Sequence, residues 1–449
     1  MTTASTGAPR ELGFWMCTAL VIGNTIGIGI FMMPAALAPY GLNSIIGWLI
    51  TVLGCVAVAW VFAGMARLFP QDDGPYAYTQ RAFGSPTAFM VLWCYWVSIW
   101  VTNATIATSV VGYLTALIPV LGTNPLLPPV TALSLVWIFV LVNLLGVRTV
   151  GWMQILTMIL KLVPMGTVIG LGLWQFFADP SAYTRHVPAT PIELGSIAGA
   201  STLALFAMLG IECATIPAGR VRDPQRTIPR ATIVGTLLTA FIYISVFVVP
   251  LLLIPQDELA KSNAPFADLL ARFFGSGYGQ LLAVFVVISG LGALNGWTLM
   301  AGELTQTFAR HGTLPQSLAK ANAHAAPTRA LLLTGAAASF MLIMNYTESM
   351  AKGFAFFSVI VTAANLPLYL FCALAIIVLW RRGEIRRPGR REVVLVLAAA
   401  LATAFSIWLF IGVGIRSLLW AVALALVGVP VYWWMRRSRT SAVGLRDGA

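Results

Sequence analysis

Long apolar stretches separated by short polar breaks run the length of the chain. They fall at about 12–38, 42–68, 84–118, 126–147, 152–176, 194–219, 228–254, 277–310, 326–346, 352–380, 392–412 and 415–435. A helix needs about 20 apolar residues to cross a hydrocarbon core of roughly 30 Å, and each stretch supplies them. The runs are continuous, whereas barrel strands alternate over about 10 residues. The pattern predicts an all-α polytopic membrane protein with twelve transmembrane helices. The first run, starting near Leu12, lacks a small-residue cleavage site and reads as a retained helix.

Composition narrows this further. The 449 residues are 59% hydrophobic and 9% charged, with a mean hydropathy of +0.87. A soluble domain carries roughly 25% charged residues, so this chain cannot cover a soluble surface. Disorder fails for the opposite reason, because apolar residues are abundant. The net charge of +12 suggests an anionic partner such as nucleic acid, but the placement of the charges argues against one. With the N-terminus inside, Arg185, Lys261, Arg272, Lys352 and Arg416 fall outside and Lys161 lies within a span. The remaining Lys and Arg fall inside, in clusters such as Arg220 to Arg230, Arg381 to Arg391 and Arg436 to Arg439. The positive-inside rule then predicts both termini cytoplasmic, and the expected location is a bacterial-type inner membrane. The five cysteines (Cys17, Cys55, Cys94, Cys213 and Cys372) all lie in apolar segments. Their odd number and spacing give neither a disulfide framework nor a zinc site. They read as small buried hydrophobes.

The first and sixth spans are interrupted at matching places, by Gly23-Asn24-Thr25-Ile26-Gly27-Ile28-Gly29 and by Ala207-Met208-Leu209-Gly210-Ile211-Glu212. Interrupted helices in corresponding positions of two halves point to a transporter binding site. Membrane glycines that merely permit close packing are the alternative. A five-helix unit repeated once must be inverted, since an odd number of crossings starts the second copy on the other side. Unwinding frees backbone N–H and C=O groups, which is tolerable where they line a cavity. The half-helix after the break offers N–H donors to a carboxylate, and the freed carbonyls suit an ammonium group.

Five motifs occur in order: G-N-T-I-G-I-G-I-F from Gly23, G-P-Y-A-Y with A-F-G from Gly74, L-G-I-E from Leu209, D-P-Q-R-T-I-P-R-A from Asp223 and L-N-G-W-T-L-M-A-G from Leu294. Together they resemble the amino acid–polyamine–organocation superfamily, and most closely its basic amino acid/polyamine antiporter branch, over about residues 12–435. The resemblance implies a cytoplasmic tail at 1–11, a first inverted repeat at 12–176 and a periplasmic loop at 177–193. A second repeat at 194–380, two further helices over 381–435 and a cytoplasmic tail at 436–449 complete it. It also implies substrate carboxylate contacts at the backbone of Ile28 and Gly29. The α-amino group would meet carbonyls near Thr25, Phe206 and Leu209. Asn103 would meet the distal end of a cationic substrate, Trp297 would lie beneath it, and Tyr95 with Glu212 would form part of an inner gate. An interhelical hydrogen bond for Asn103 and plain packing for Trp297 are the bland alternatives. The chain departs from the arginine/agmatine antiporters in having Ile28 for a serine and Phe206 for a tryptophan, which removes a hydroxyl and weakens a cation–π face. Tyr369 also stands one place late after Pro367.

Glu212 and Lys161 are the ionisable groups placed near mid-membrane, with Glu303 nearer a helix end. On insertion scales each charge costs about 2.5–3.5 kcal/mol at the centre, so both should face partners inside the bundle. Glu212 reads as a proton-sensitive gate with Tyr95 or as a neutral, hydrogen-bonded acid. Lys161 resembles the fifth-span lysine of sodium-independent permeases in the superfamily, whose ammonium occupies the place of a sodium ion. Carbonyls near Gly23 and Ser289 would be its partners, and snorkelling to an interface is the alternative.

The expected function is sodium-independent exchange of cationic amino acids and related amines by alternating access. A proton-coupled permease of broader or neutral specificity is the alternative. A polytopic membrane enzyme is more remote, because His186, His311 and His324 fall in loops without paired spacing. The expected partners are a small amino acid or amine and the lipid bilayer, with a homodimer left open and no nucleic acid. No cofactor or metal is expected.

Overall fold

The computed structural model describes residues 13–69, 75–145, 160–211, 223–310, 312–324, 326–345, 350–385 and 389–444. Glu212, Cys213, Gly74, Arg220, Arg222, His311, Arg386 and Arg387, together with the outer parts of both tails, lie outside them. The described chain is helical, with no strand among these residues.

In chain order the helices are α1 (Phe14–Thr25), α2 (Gly29–Leu37), α3 (Asn43–Leu68), α4 (Pro75–Phe83) and α5 (Ser85–Leu117). Then come α6 (Leu127–Leu144), α7 (Leu162–Ala178), α8 (Leu194–Met208), α9 (Pro224–Leu253) and α10 (Pro265–Phe274). The last five are α11 (Ser276–Arg310), α12 (Thr328–Asn345), α13 (Met350–Arg381), α14 (Arg390–Gly412) and α15 (Ile415–Gly444). Eight of them are long and apolar enough to cross a membrane, and shorter apolar helices at Phe14–Gly23, Gly29–Tyr40, Leu162–Ala178, Leu194–Met208 and Thr328–Met344 accompany them. This is a polytopic helical membrane protein. The last helix continues to Gly444, past the predicted end near 435.

α5 is the central column. It packs along α11 and α13, while α3 packs on α8 and α9, and α9 also on α1. Of its most apolar window 89% is buried, against 6% for α15, whose apolar side chains face outward. Polar links fasten the column to its neighbours. Trp96 Nε1 donates to Thr305 Oγ1 at 2.7 Å, and Asn143 Nδ2 donates to Asn295 Oδ1 at 3.0 Å, joining α6 to α11. Inside hydrocarbon such bonds satisfy groups that lipid cannot.

Asn43 ties the two halves of the chain together. Its amide donates to Tyr40 O at 3.0 Å and Pro191 O at 2.8 Å, and its Oδ1 accepts from Glu193 N at 3.0 Å. At the start of α9, Asp223 adopts φ 43°, a conformation that a short polar side chain tolerates. Its carbonyl accepts from Arg226 N and Thr227 N at 3.1 and 2.9 Å.

Candidate functional site

α1 stops at Thr25 because Ile26 turns extended (φ −71°, ψ 91°), and α2 restarts at Gly29 with no side-chain cap. The first N–H groups of α2 therefore have no acceptor within the helix. α8 stops at Met208, where Leu209 is extended (φ −64°, ψ 146°) and Gly210 takes φ 106°, open to glycine alone without strain. Both predicted interruptions are thus real breaks. They also touch: a Cβ on Gly29 would lie 2.7 Å from Phe206 Cε1. The Phe206 ring is backed by Phe354 of α13, edge-on at 5.6 Å.

Between the breaks lies a small cavity. Thr25, Gly27, Ile28, Gly29 and Ile30 line it from the first break, and Phe206, Ala207 and Leu209 from the second. Thr102 and Ile106 of α5, Tyr243 of α9 and Trp297 of α11 complete the wall. None of these side chains carries a charge. Ile28, which stands where the arginine/agmatine antiporters have a serine, places its Cδ1 against the position a Cβ on Gly290 of α11 would take. Gly290 makes the room for that larger side chain.

Lys161 precedes α7 and is 8% exposed. Its Nζ donates to Gly23 O and to Ile26 O, each at 2.6 Å. These carbonyls belong to the last turn of α1 and the break itself, where the negative end of the half-helix dipole favours a cation. Both bonds go to main-chain oxygens. Ser289, the other expected partner, is buried on α11 outside this pair of bonds.

The third carbonyl of the break is also occupied. Thr25 O accepts from Gly27 N at 2.8 Å and from the Tyr243 hydroxyl at 2.9 Å. A carbonyl has two lone pairs, so Thr25 O has none left for an α-amino group. Phe206 O accepts a long bond from Leu209 N at 3.4 Å.

The distal contacts differ from expectation too. Asn103 is buried on α5, but the α5 side chains at the cavity are Thr102 and Ile106. Asn103 Oδ1 has no hydrogen-bond partner among the described residues. Trp297 lies on the cavity wall. Tyr95 sits two turns before Asn103 on α5, partly buried. Glu212 is outside the described residues, so their pairing is not part of this geometry. Tyr369 packs edge-on against Phe62 at 5.8 Å. Tyr243, Thr102 and Ile106 escaped sequence reasoning, since single residues in an apolar span read as core.

A helical membrane bundle that encloses a small neutral chamber between two broken helices has the architecture of a transporter of small solutes. A family model for amino acid permeases matches residues 12–434, and the chain belongs to that family. It is 30% identical to a cadaverine/lysine antiporter of Escherichia coli, over 77% of both chains. It is 29% identical to a putative arginine/ornithine antiporter of Bacillus subtilis, covering 94% of this chain and 96% of the relative. With the Escherichia coli putrescine transporter PotE it shares 28% identity over 94% and 95% of the two chains.

Proposed function

We propose that this protein exchanges cationic amino acids and related amines across a bacterial cytoplasmic membrane, without sodium, by alternating access. The observation that carries the reading is the Lys161 ammonium held by Gly23 O and Ile26 O beside a chamber of neutral side chains. A fixed internal cation at freed carbonyls does the electrostatic work that a bound metal ion would otherwise do. The backbone of Ile28 and Gly29 at the start of α2 would take the substrate carboxylate, and the Phe206 carbonyl region its amino group. Trp297 offers a large face to an alkyl chain or a guanidinium group. The relatives named above, whose names describe lysine, cadaverine, arginine, ornithine and putrescine, support the cationic class.

In this reading Phe14–Gly23 and Gly29–Tyr40 form one broken span, and the other short apolar helices complete twelve. Residues 12–176 and 194–380 are the inverted repeats, followed by two helices over 381–435, with both termini in the cytoplasm. Tyr95 and Glu212 form the inner gate. The protein acts as a transporter and not as an enzyme.

A proton-coupled permease of neutral specificity is the second reading. Ile28 filling the notch at Gly290, with Ile106 and Phe206 nearby, favours it, because these groups make the chamber more apolar. Counterflow in proteoliposomes separates the two. Vesicles preloaded with lysine, ornithine or arginine should accumulate labelled cadaverine, putrescine or arginine faster than empty vesicles. Stimulation by internal alanine or leucine alone would support the neutral permease.

A further inference from the structure

Tyr113 lies seven residues beyond Ile106 on α5, two turns or about 10 Å along the same face. It therefore stands one layer past the cavity, on the side of the connection at 255–274. Its side chain is fully buried. The hydroxyl donates to Phe31 O at 2.9 Å and accepts from Phe266 N at 3.3 Å. Phe31 is two residues past Gly29, on the half-helix whose first residues, Gly29 and Ile30, line the chamber. Phe266 is in the first turn of α10, where a main-chain N–H has no acceptor of its own. One hydroxyl thus joins α2, α5 and the 255–274 cap.

The surrounding packing makes the junction tight. Phe31 sits edge-on to Tyr113 at 6.3 Å and to Phe266 at 5.4 Å. A Cβ on Gly112 would lie 2.8 Å from Asn263 O, so the cap rests directly on α5. Ser262 Oγ donates to Asp268 Oδ2 at 2.5 Å and accepts from Ala264 N at 3.2 Å, folding the turn that presents Phe266. A second tie runs from Gln256 Nε2 to Ala38 O at 2.8 Å, just past the other end of α2.

We infer that Tyr113 is a positioning residue that clasps α2 to the cap and closes the chamber on that face. The chamber cannot open toward the cap unless α2 or the cap leaves the Tyr113 hydroxyl, which breaks the bond to Phe31 O or the bond from Phe266 N. Phenylalanine keeps the packing and removes both bonds. The clasp rests on the transport reading only for its purpose. Its test needs no substrate.

The full chain, with its native cysteines replaced, would carry Ile106→Cys as a reporter in the chamber. A membrane-impermeant thiol reagent would be applied from each side of the membrane. Adding Tyr113→Phe should raise the labelling rate from the cap side about five-fold and lower it from the other side, because one net hydrogen bond shifts a two-state balance by that much. Gly112→Ala, which pushes the cap off α5, should act in the same direction. Unchanged labelling from the cap side, or equal increases from both sides, would overturn the clasp. Responsive labelling in a protein that shows no counterflow would keep the clasp and remove the exchange reading.

Discussion

α1 and α2 are the two halves of one interrupted span, yet they are fastened by different chemistry. The end of α1 is held by an ammonium group on two carbonyls and by a phenol on a third. α2 is held by a neutral hydroxyl that it shares with the cap, and by a glutamine amide just past its end. Charge-assisted hydrogen bonds are roughly twice as strong as neutral ones. The α1 end is therefore the firmer anchor. The α2 end is suited to letting go. In the proposed exchange cycle, ionic coupling belongs to one half of the span and access to the other.

This contrast can be broken at several points. The largest effect is expected at Lys161→Ala, which leaves Gly23 O and Ile26 O without their cation. Exchange should fall at least about 100-fold, since two charge-assisted bonds of roughly 1.5–3 kcal/mol each are lost. Initial rates in proteoliposomes measure this, and a rate near that of the wild type would remove the anchor. Gly29→Ala places a methyl group against the Phe206 ring. It should weaken substrate binding about ten-fold, and adding Phe206→Leu should recover part of the loss, as touching sites couple in double-mutant cycles. Calorimetric binding reads both, and strictly additive losses would contradict the contact.

Tyr243→Phe frees one lone pair of Thr25 O at a cost of about 1 kcal/mol. An affinity change of about five-fold should follow in the same titration, and no change would mean that the phenol only packs. The smallest effect is expected at Asn103→Ala, which stands beside the lining residues and not among them. A loss of about two- to three-fold for arginine or diamines, with less for alanine, would place Asn103 near the distal end of the substrate. Equal losses for all would assign it to the bundle.

The breaks were legible in the sequence because glycine runs inside apolar stretches have a backbone cause that needs no tertiary context. Lys161 was legible as a charge within a span that must find partners, while carbonyls near Gly23 and Ser289 came as its partners from the resemblance. The wall of the chamber was harder to read. α5 is buried on nearly every side, so its apolar pattern has no phase that tells Thr102 and Ile106 from Asn103. Tyr113 and Tyr243 were invisible, since a tyrosine in an apolar run announces neither its partner nor its face. Hydropathy also failed to rank burial. α15 and α5 both pass as spans, and the less apolar of the two is the inner one.

The central claim is that the Lys161 cation makes external sodium unnecessary for exchange of cationic substrates. Exchange of labelled lysine or putrescine in sodium-free proteoliposomes, wild type against Lys161→Ala, tests it directly. The wild type should run at the same rate with and without sodium, and the variant should fall to background. A sodium requirement in the wild type, or a sodium-free variant at the wild-type rate, would contradict the account.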